Sequence, residues 1–538
     1  MSTIHNHEPV GIIVGEATST SFVFSSTQNL CPSRLDYLVV KSQELVDDQL
    51  TEVDVLAQVE RVMSSSEALK HLVSFDALRR IQEADLSDIR NYGSATVLGY
   101  LHPATSQVLI PRRSLSPGSE VYSAPQEILQ DFYTYPSDEA LMVGNLITRP
   151  EVEVSLTVSG MRRHVAIIAQ TGAGKSYCAG VLIEELLTKG GSVVVIDPHA
   201  DYALIGMNDD GSRHNLSDRC LIFRNPASTG RYSEREVGRI EKYTIAFSDL
   251  TNDEIFEIAN IHQSFTRIRD TLAEVLEALR NSNSSFSPSD LIDDLETRYE
   301  SASNQSDRSS IQSATRYARV LARMRVFDDV STPTERILSP MQVSVMDLSG
   351  LDSISTDYIV SKLLRNISDS VISEEYPHPV FIVIEEAHNF IPQDSKTRSS
   401  PIIRRIAGEG RKFGVFLVVI SQRPSKIHSD TLSQCNSQII MKLTNPRDQE
   451  AVQNSSERMS KELLDNLPGF NPGEAVVLGP VTKTPVMIRV RRRRTREGGA
   501  DIDVVEALRI AREDSAIDRS LKKDQQRTAP FTGSFGEE

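Results

Sequence analysis

Two stretches of this sequence carry residue types suited to phosphate chemistry. The first is Gln170-Thr171-Gly172-Ala173-Gly174-Lys175-Ser176-Tyr177. It follows an apolar run, 165–168, and opens a segment of helical character, 177–187. Strand, small-residue loop, Lys-Ser and helix is the context of a P-loop. Backbone N–H groups of such a loop converge on nucleotide phosphates, aided by the helix N-terminus. Lys175 then reaches the outer phosphates, and the Ser176 hydroxyl holds Mg²⁺. Ala169 stands where the usual first glycine would be. The second stretch is an apolar strand candidate, 380–384, that runs into Glu385-Glu386-Ala387-His388. In an open α/β sheet the C-terminal ends of the strands are where ligands bind. There Glu385 is placed to hold Mg²⁺ through water, and Glu386 to polarise a water for attack on the γ-phosphate of ATP. His388 lacks a second histidine at metal-ligand spacing and reads as an orienting or packing residue.

Three further features fit the same chemistry less specifically. A third apolar strand candidate, 415–420, ends in Ser421-Gln422. Gln422 is placed to sense the γ-phosphate if that strand neighbours the acids. Asp197 closes another, 192–196, and either joins the Mg²⁺ shell or anchors a loop. Arg411, in Gly408-Glu409-Gly410-Arg411-Lys412, either caps a helix C-terminus or serves a neighbouring subunit as an arginine finger. Arg447 is the second candidate for that role.

These groups need a scaffold. Between 151 and 490, strand candidates at 165–168, 192–196, 220–223, 343–346, 380–384, 415–420 and 437–441 alternate with helical patterns such as 358–372 and 401–412. Continuous apolar strands between helices predict a doubly wound, mostly parallel α/β sheet. Residues 249–336 interrupt it with helix, including 268–279 and 311–325. This is either an inserted subdomain or a set of long crossover helices. Residues 1–150 show short strands at 10–14, 21–24, 37–41, 96–101, 108–110 and 141–147, the pattern of a small barrel. Residues 53–82 read there as a helix, with Leu69, Leu72 and Val73 on one face. The expected parts are a barrel with helical insertion (1–150), a core in two pieces (151–248 and 337–490), a helical subdomain (249–336), and an arm and tail (491–538). The tail from about 521 reads as disordered.

Composition narrows the class. Length, at 538 residues, fits about three domains. Four separated cysteines with no Cys-x-x-Cys pair argue for a reducing, cytoplasmic setting and against a zinc site. No secretory signal pattern is visible at the N-terminus, and no apolar run nears the roughly 18 residues of a membrane span. Net charge is −16, which does not advertise nucleic-acid binding but leaves room for a local basic channel.

Taken in order, Gln-Thr-Gly-Ala-Gly-Lys-Ser, Ile-Asp-Pro-His-Ala-Asp-Tyr, Ile-Glu-Glu-Ala-His-Asn-Phe-Ile-Pro, Gly-Arg-Lys-Phe-Gly, Ser-Gln-Arg-Pro and Leu-Thr-Asn-Pro-Arg-Asp-Gln make the chain resemble the HerA family of the FtsK–HerA superfamily, from about 140 to 490. The resemblance implies a RecA-like P-loop NTPase core behind a barrel of the family's N-terminal (HAS-barrel) type. It also implies a homohexamer that moves on double-stranded DNA. The implied partner is a nuclease, such as NurA in repair, or another effector in anti-phage defence. It assigns Lys175 and Ser176 to the nucleotide site, Glu385 and Glu386 to the acidic motif, Gln422 to sensing and Arg411 to the trans finger.

Two other classes compete. A scaffold that uses ATP as a switch to assemble an effector would not need the acidic pair and Gln422. A conjugation-type ATPase would meet a membrane. An ABC signature is incomplete at Leu348-Ser349-Gly350-Leu351. The basic run Arg489–Arg496 binds DNA, binds an acidic partner, packs across a subunit boundary or is a solvated face. Lys396, Arg398 and Lys426 are pore candidates from loops beside the nucleotide motifs.

Overall fold

A computed structural model describes residues 8–69, 73–84, 88–282, 285–456, 458–499 and 504–513. Residues to 497 form one compact unit. The second unit contributes a helix over 504–513, whose Val504, Val505, Leu508 and Ile510 are exposed. The tail read as disordered and Leu72 lie outside the described residues.

The first strands are β1 Gly11–Ala17, β2 Ser21–Ser26, β3 Tyr37–Val46, β4 Gln49–Ser65, β5 Arg90–Leu101, β6 Val108–Leu109 and β7 Glu120–Ser123. They pair in the order β2-β1-β7-β3-β4-β5, and a β2–β5 ladder closes the ring, with β6 added beside β5. Every pairing is antiparallel. Phe22, Phe24, Leu38, Val40, Val55, Ala57, Val59 and Val121 fill the interior. The barrel expected from sequence is therefore present, but the helix expected over 53–82 is not. The first part of that stretch, to Ser65, belongs to β4, and a short helix, Phe75–Glu83, comes later. Val53, Val55, Ala57 and Val59 are buried at alternate positions, a period of two made largely by β-branched residues. The apolar trio used to infer a helix lies beyond the end of this strand.

The remaining strands are β8 Ala140–Leu146, β9 Glu153–Thr157, β10 Val165–Ile168, β11 Ser192–Asp197, β12 Cys220–Arg224, β13 Ile240–Lys242, β14 Ile245–Ala246, β15 Phe327–Asp328, β16 Val343–Asp347, β17 Val380–Ile384, β18 Val415–Ser421, β19 Ser437–Ile440, β20 Glu474–Leu478 and β21 Val486–Val490. All but β14 and β15 build one twelve-stranded sheet, ordered β13-β12-β16-β11-β17-β18-β10-β19-β20-β21-β8-β9. The ladders from β13 to β19 are parallel. Those from β19 to β9 are antiparallel. β8, counted with the barrel from sequence, thus belongs to the large sheet, where β21 and β9 satisfy its two edges.

Alternate residues of one strand feed opposite faces of this sheet. Ala166 and Ile168 join one apolar core, Val165 and Ile167 the other. Burial on both faces explains the continuous apolar runs. The helical block comprises Asn252–Ile258, Thr266–Ser282, Pro288–Ser301 and Gln305–Met324. Leu272, Leu276, Leu291, Leu295 and Leu321 join the same core as Ile196 and Ile384, so the block packs into the α/β unit. The polar breaks between its helices also start them: Ser287 and Asn304 accept backbone N–H groups as N-caps.

Candidate nucleotide site

The parallel ladders fix the site. β10, β18, β17 and β11 are neighbours running the same way, so their C-terminal ends meet at one edge. After β10 the chain turns through Gly172 (φ 77°) and Gly174 (φ 99°) before the helix Lys175–Thr188 begins. Glycine alone adopts such angles without strain. Gln170 and Thr171 tie the loop to adjacent strand ends. The Gln170 side-chain oxygen accepts from the Thr444 hydroxyl at 2.9 Å, and the Thr171 hydroxyl donates to the Gln422 side-chain oxygen. The Ala173 carbonyl accepts from the Gly473 N–H at 3.0 Å. Tyr177 lies in the first turn of the helix, and its hydroxyl accepts from the Arg493 N–H at 2.6 Å.

Lys175 meets both acids. Its Nζ donates to Glu385 Oε1 and lies 3.2 Å from Glu386 Oε1. Burial disfavours the ammonium, but Glu385 and Glu386 outweigh it and hold Lys175 charged to higher pH than usual. Burial pushes the Glu385 carboxyl up, against the pull of Lys175 and of the Tyr202 hydroxyl, which donates to Glu385 Oε2 at 2.6 Å. Glu386 sits in the left-handed region (φ 49°, ψ 45°), a costly conformation for a residue with a side chain. Its Oε2 is buried with no hydrogen-bond partner among the described residues, and lies 3.3 Å from Nδ1 of His388. Nδ1 of His388 also lies 3.1 Å from the Ser421 hydroxyl. Burial lowers the His388 pKa, which favours the neutral ring.

Asp197 has the geometry of a loop anchor. Its carboxylate is fully buried and accepts the N–H groups of His199, Asp201 and Tyr202 at 3.3, 3.0 and 2.8 Å. It anchors the loop and leaves the hydroxyl of Ser176 to Asp201, whose Oδ2 accepts from it at 2.9 Å. Sequence reasoning missed Asp201 and Tyr202. Their positions depend on a left-handed turn at Ala200 (φ 62°), which has no sequence marker. The donors gathered here are hydroxyl and carboxylate oxygens, the hard set that suits Mg²⁺. Ser176, Glu385 and Asp201 are the residues that fit it.

Other predicted residues lie elsewhere. Arg411 is exposed on the turn before β18, at the opposite edge of the sheet. Seven residues of strand at about 3.3 Å each separate it from Gln422, so it cannot reach the site of its own chain. Arg447 is exposed in the first turn of the helix Pro446–Ser455, on the site's edge. Lys396 and Lys426 are exposed. Arg398 is half-buried and donates to the Ile258 carbonyl at 2.9 Å, tying its loop inward. The basic run is mostly paired rather than free, although Arg489, Arg492 and Arg494 remain exposed to solvent. Arg489 pairs with Glu474, and Arg491 with Glu184 and Glu185 of the P-loop helix at 3.0 and 2.8 Å. Arg492 pairs with Asp209 and Arg494 with Glu185.

Residues 141–367 match the family described as "Helicase HerA, central domain". A Methanocaldococcus jannaschii protein named "Probable helicase MJ1565" is 29% identical over 522 residues, 93% of this chain and 94% of its own length. "DNA double-strand break repair helicase HerA" of Pyrococcus furiosus is 29% identical over 538 aligned positions, 90% of this chain and 92% of its own. Among solved structures, VirB4 of Thermoanaerobacter pseudethanolicus aligns with a TM-score of 0.47 and 13% identity, over 67% of this chain and 98% of that one. Among the described residues no helix is long and apolar enough to cross a membrane.

Proposed function

Because this chain belongs to the HerA family of P-loop ATPases, we propose that it converts ATP hydrolysis into movement along double-stranded DNA as a homohexamer, in the cytoplasm. The observation that carries this reading is the meeting of Lys175 with Glu385 and Glu386 beside Gln422, at the ligand-binding edge of a parallel sheet. In the reading, the P-loop amides and Lys175 hold the ATP phosphates. Bound Mg²⁺ neutralises charge on those phosphates. Ser176 and Glu385 hold the metal, with Asp201 in the place first considered for Asp197. Glu386 orients the attacking water through its free Oε2, and Gln422 reports the γ-phosphate to the loop through Thr171.

Arg411 completes a neighbour's site, consistent with its place on the far edge. The working parts are the barrel, the split core around 249–336, and the arm from 491, with β8 assigned to the core. The implied partner is a nuclease or a defence effector.

DNA binding offers the test. A chain of net charge −16 that still holds duplex DNA must gather cations on one surface, and a ring channel does so by repetition. Binding is expected to be sequence-independent and to weaken about 10³-fold or more between 50 and 200 mM salt, if six or more phosphates are neutralised. It is also expected to vanish in a dissociated form. Equal affinity in assembled and dissociated protein, or a flat salt series, would sink the channel.

A further inference from the structure

Between the P-loop helix and the loop after β11 lies a charged group that the mechanism above does not use. After β21 the chain doubles back along the helix Lys175–Thr188. Glu184 Oε1 accepts the N–H groups of Arg494 and Thr495 at 2.9 and 2.8 Å and the Thr495 hydroxyl at 2.8 Å. The Arg496 N–H donates to the Met207 carbonyl. These bonds press the side chain of Arg493 inward, where only 1% of it is exposed. Its Nε donates to the Thr495 hydroxyl at 2.9 Å and lies 3.9 Å from Glu184. Its two terminal nitrogens are buried and have no hydrogen-bond partner among the described residues.

A guanidinium has five donors and does not shed its charge. Buried donors left empty are unfavourable, so this arrangement awaits an acceptor. The neighbours say which. The guanidinium lies against Gly180, one helical turn behind Ser176 on the same face. Its central carbon also lies over the ring of Tyr202, 6.0 Å from the ring centre, and Tyr202 is next in sequence to Asp201. Partial desolvation raises the Glu497 carboxyl, Arg493 and Lys175 pull it down, and Asp201 pushes it up, so these groups share one electrostatic neighbourhood.

We infer that Arg493 receives the Asp201 carboxylate when magnesium claims the Ser176 hydroxyl, so that the arm 491–497 locks the metal side of the loaded nucleotide site. The inference rests on reading Ser176 as the magnesium-side hydroxyl. Arg493 is then a positioning residue. It acts through Asp201 and links nucleotide occupancy to the arm that follows β21.

Two variants attack the same contact from opposite sides. Arg493→Gln removes the charge. Gly180→Ala keeps Arg493, but its new Cβ would fall 2.5–2.7 Å from the guanidinium and drive it away. Alanine also favours the helix interior over glycine, so the second variant is not expected to unfold. Binding of a fluorescent ATP analogue is titrated with and without Mg²⁺, and thermal melting reports folding. Each variant should raise the Mg²⁺ concentration needed for half-maximal tight binding by about 10- to 100-fold, as loss of an outer-sphere partner does, with Mg²⁺-free binding unchanged.

The double variant should be no worse than either single one, since both remove one contact. Arg493→Lys should restore only part of the effect, because an ammonium lacks the fork. If Arg493→Gln misfolds, Gly180→Ala decides alone. Unchanged Mg²⁺ dependence in Gly180→Ala, or strictly additive losses in the double variant, would overturn the inference. A different result marks failure of the underlying site: parent protein and Lys175→Ala would then bind the analogue equally, with no response to Mg²⁺.

Discussion

Glu386→Gln should leave ATP bound and stop its turnover. Glutamine keeps the size of the side chain and a hydrogen-bonding oxygen, but loses the negative charge that polarises water. The left-handed backbone at 386 is no worse for glutamine than for glutamate, so the fold should hold. Loss of a positioned base lowers rates by about 10²- to 10⁴-fold, and phosphate release should fall by that factor. Binding should stay close to parent strength, or tighten, because Lys175 loses a competitor 3.2 Å away. Equilibrium binding and phosphate release on the same preparation separate the two effects. Parent-like release would remove Glu386 from catalysis and transfer the role to Glu385, whose oxygens already hold Lys175 and Tyr202.

Rings of mixed subunits should recover activity that each parent variant lacks. Arg411→Ala removes the group proposed to reach a neighbour's transition state, a contribution of about 10³- to 10⁵-fold where such fingers operate. Lys175→Ala removes nucleotide binding in its own subunit and leaves its Arg411 intact. A junction between an Arg411→Ala site and a Lys175→Ala finger contains every working part. ATPase activity should therefore reappear on mixing and peak near equal proportions. If mass measurement confirms mixed hexamers and no activity returns, Arg411 does not act in trans. Repeating the mixture with Arg447→Ala then tests the candidate on the site's own edge.

What could be read in advance followed from how local each signal was. The P-loop is one strand, one turn and one helix in sequence, so its glycines and Lys175 declare themselves. The acids and Gln422 were legible because β17 and β18 are apolar along their whole length and then stop at polar residues. Their adjacency to β10, by contrast, is a property of strand order, which no single segment encodes. Asp201 was hidden behind Asp197, since Asp197 ends β11, Asp201 follows four residues later, and only the Ala200 turn decides which reaches Ser176. The barrel's closure depends on β2 meeting β5, about 70 positions later in the chain. The Arg489–Arg496 run reads identically whether solvated or buried. Only the facing carboxylates of Glu184 and Glu185, three hundred positions earlier, turn it into an arm against the P-loop helix.

The central claim is that hydrolysis at this site moves the protein along duplex DNA. Displacement of a third strand from a short triplex on linear duplex tests it most directly, because displacement requires travel and binding alone does not suffice. Parent protein with ATP and Mg²⁺ should release the third strand. Glu386→Gln should bind the same DNA and release none. Brisk ATP hydrolysis by the parent on DNA with the third strand left in place would contradict the account and favour a ring that uses ATP only to assemble an effector.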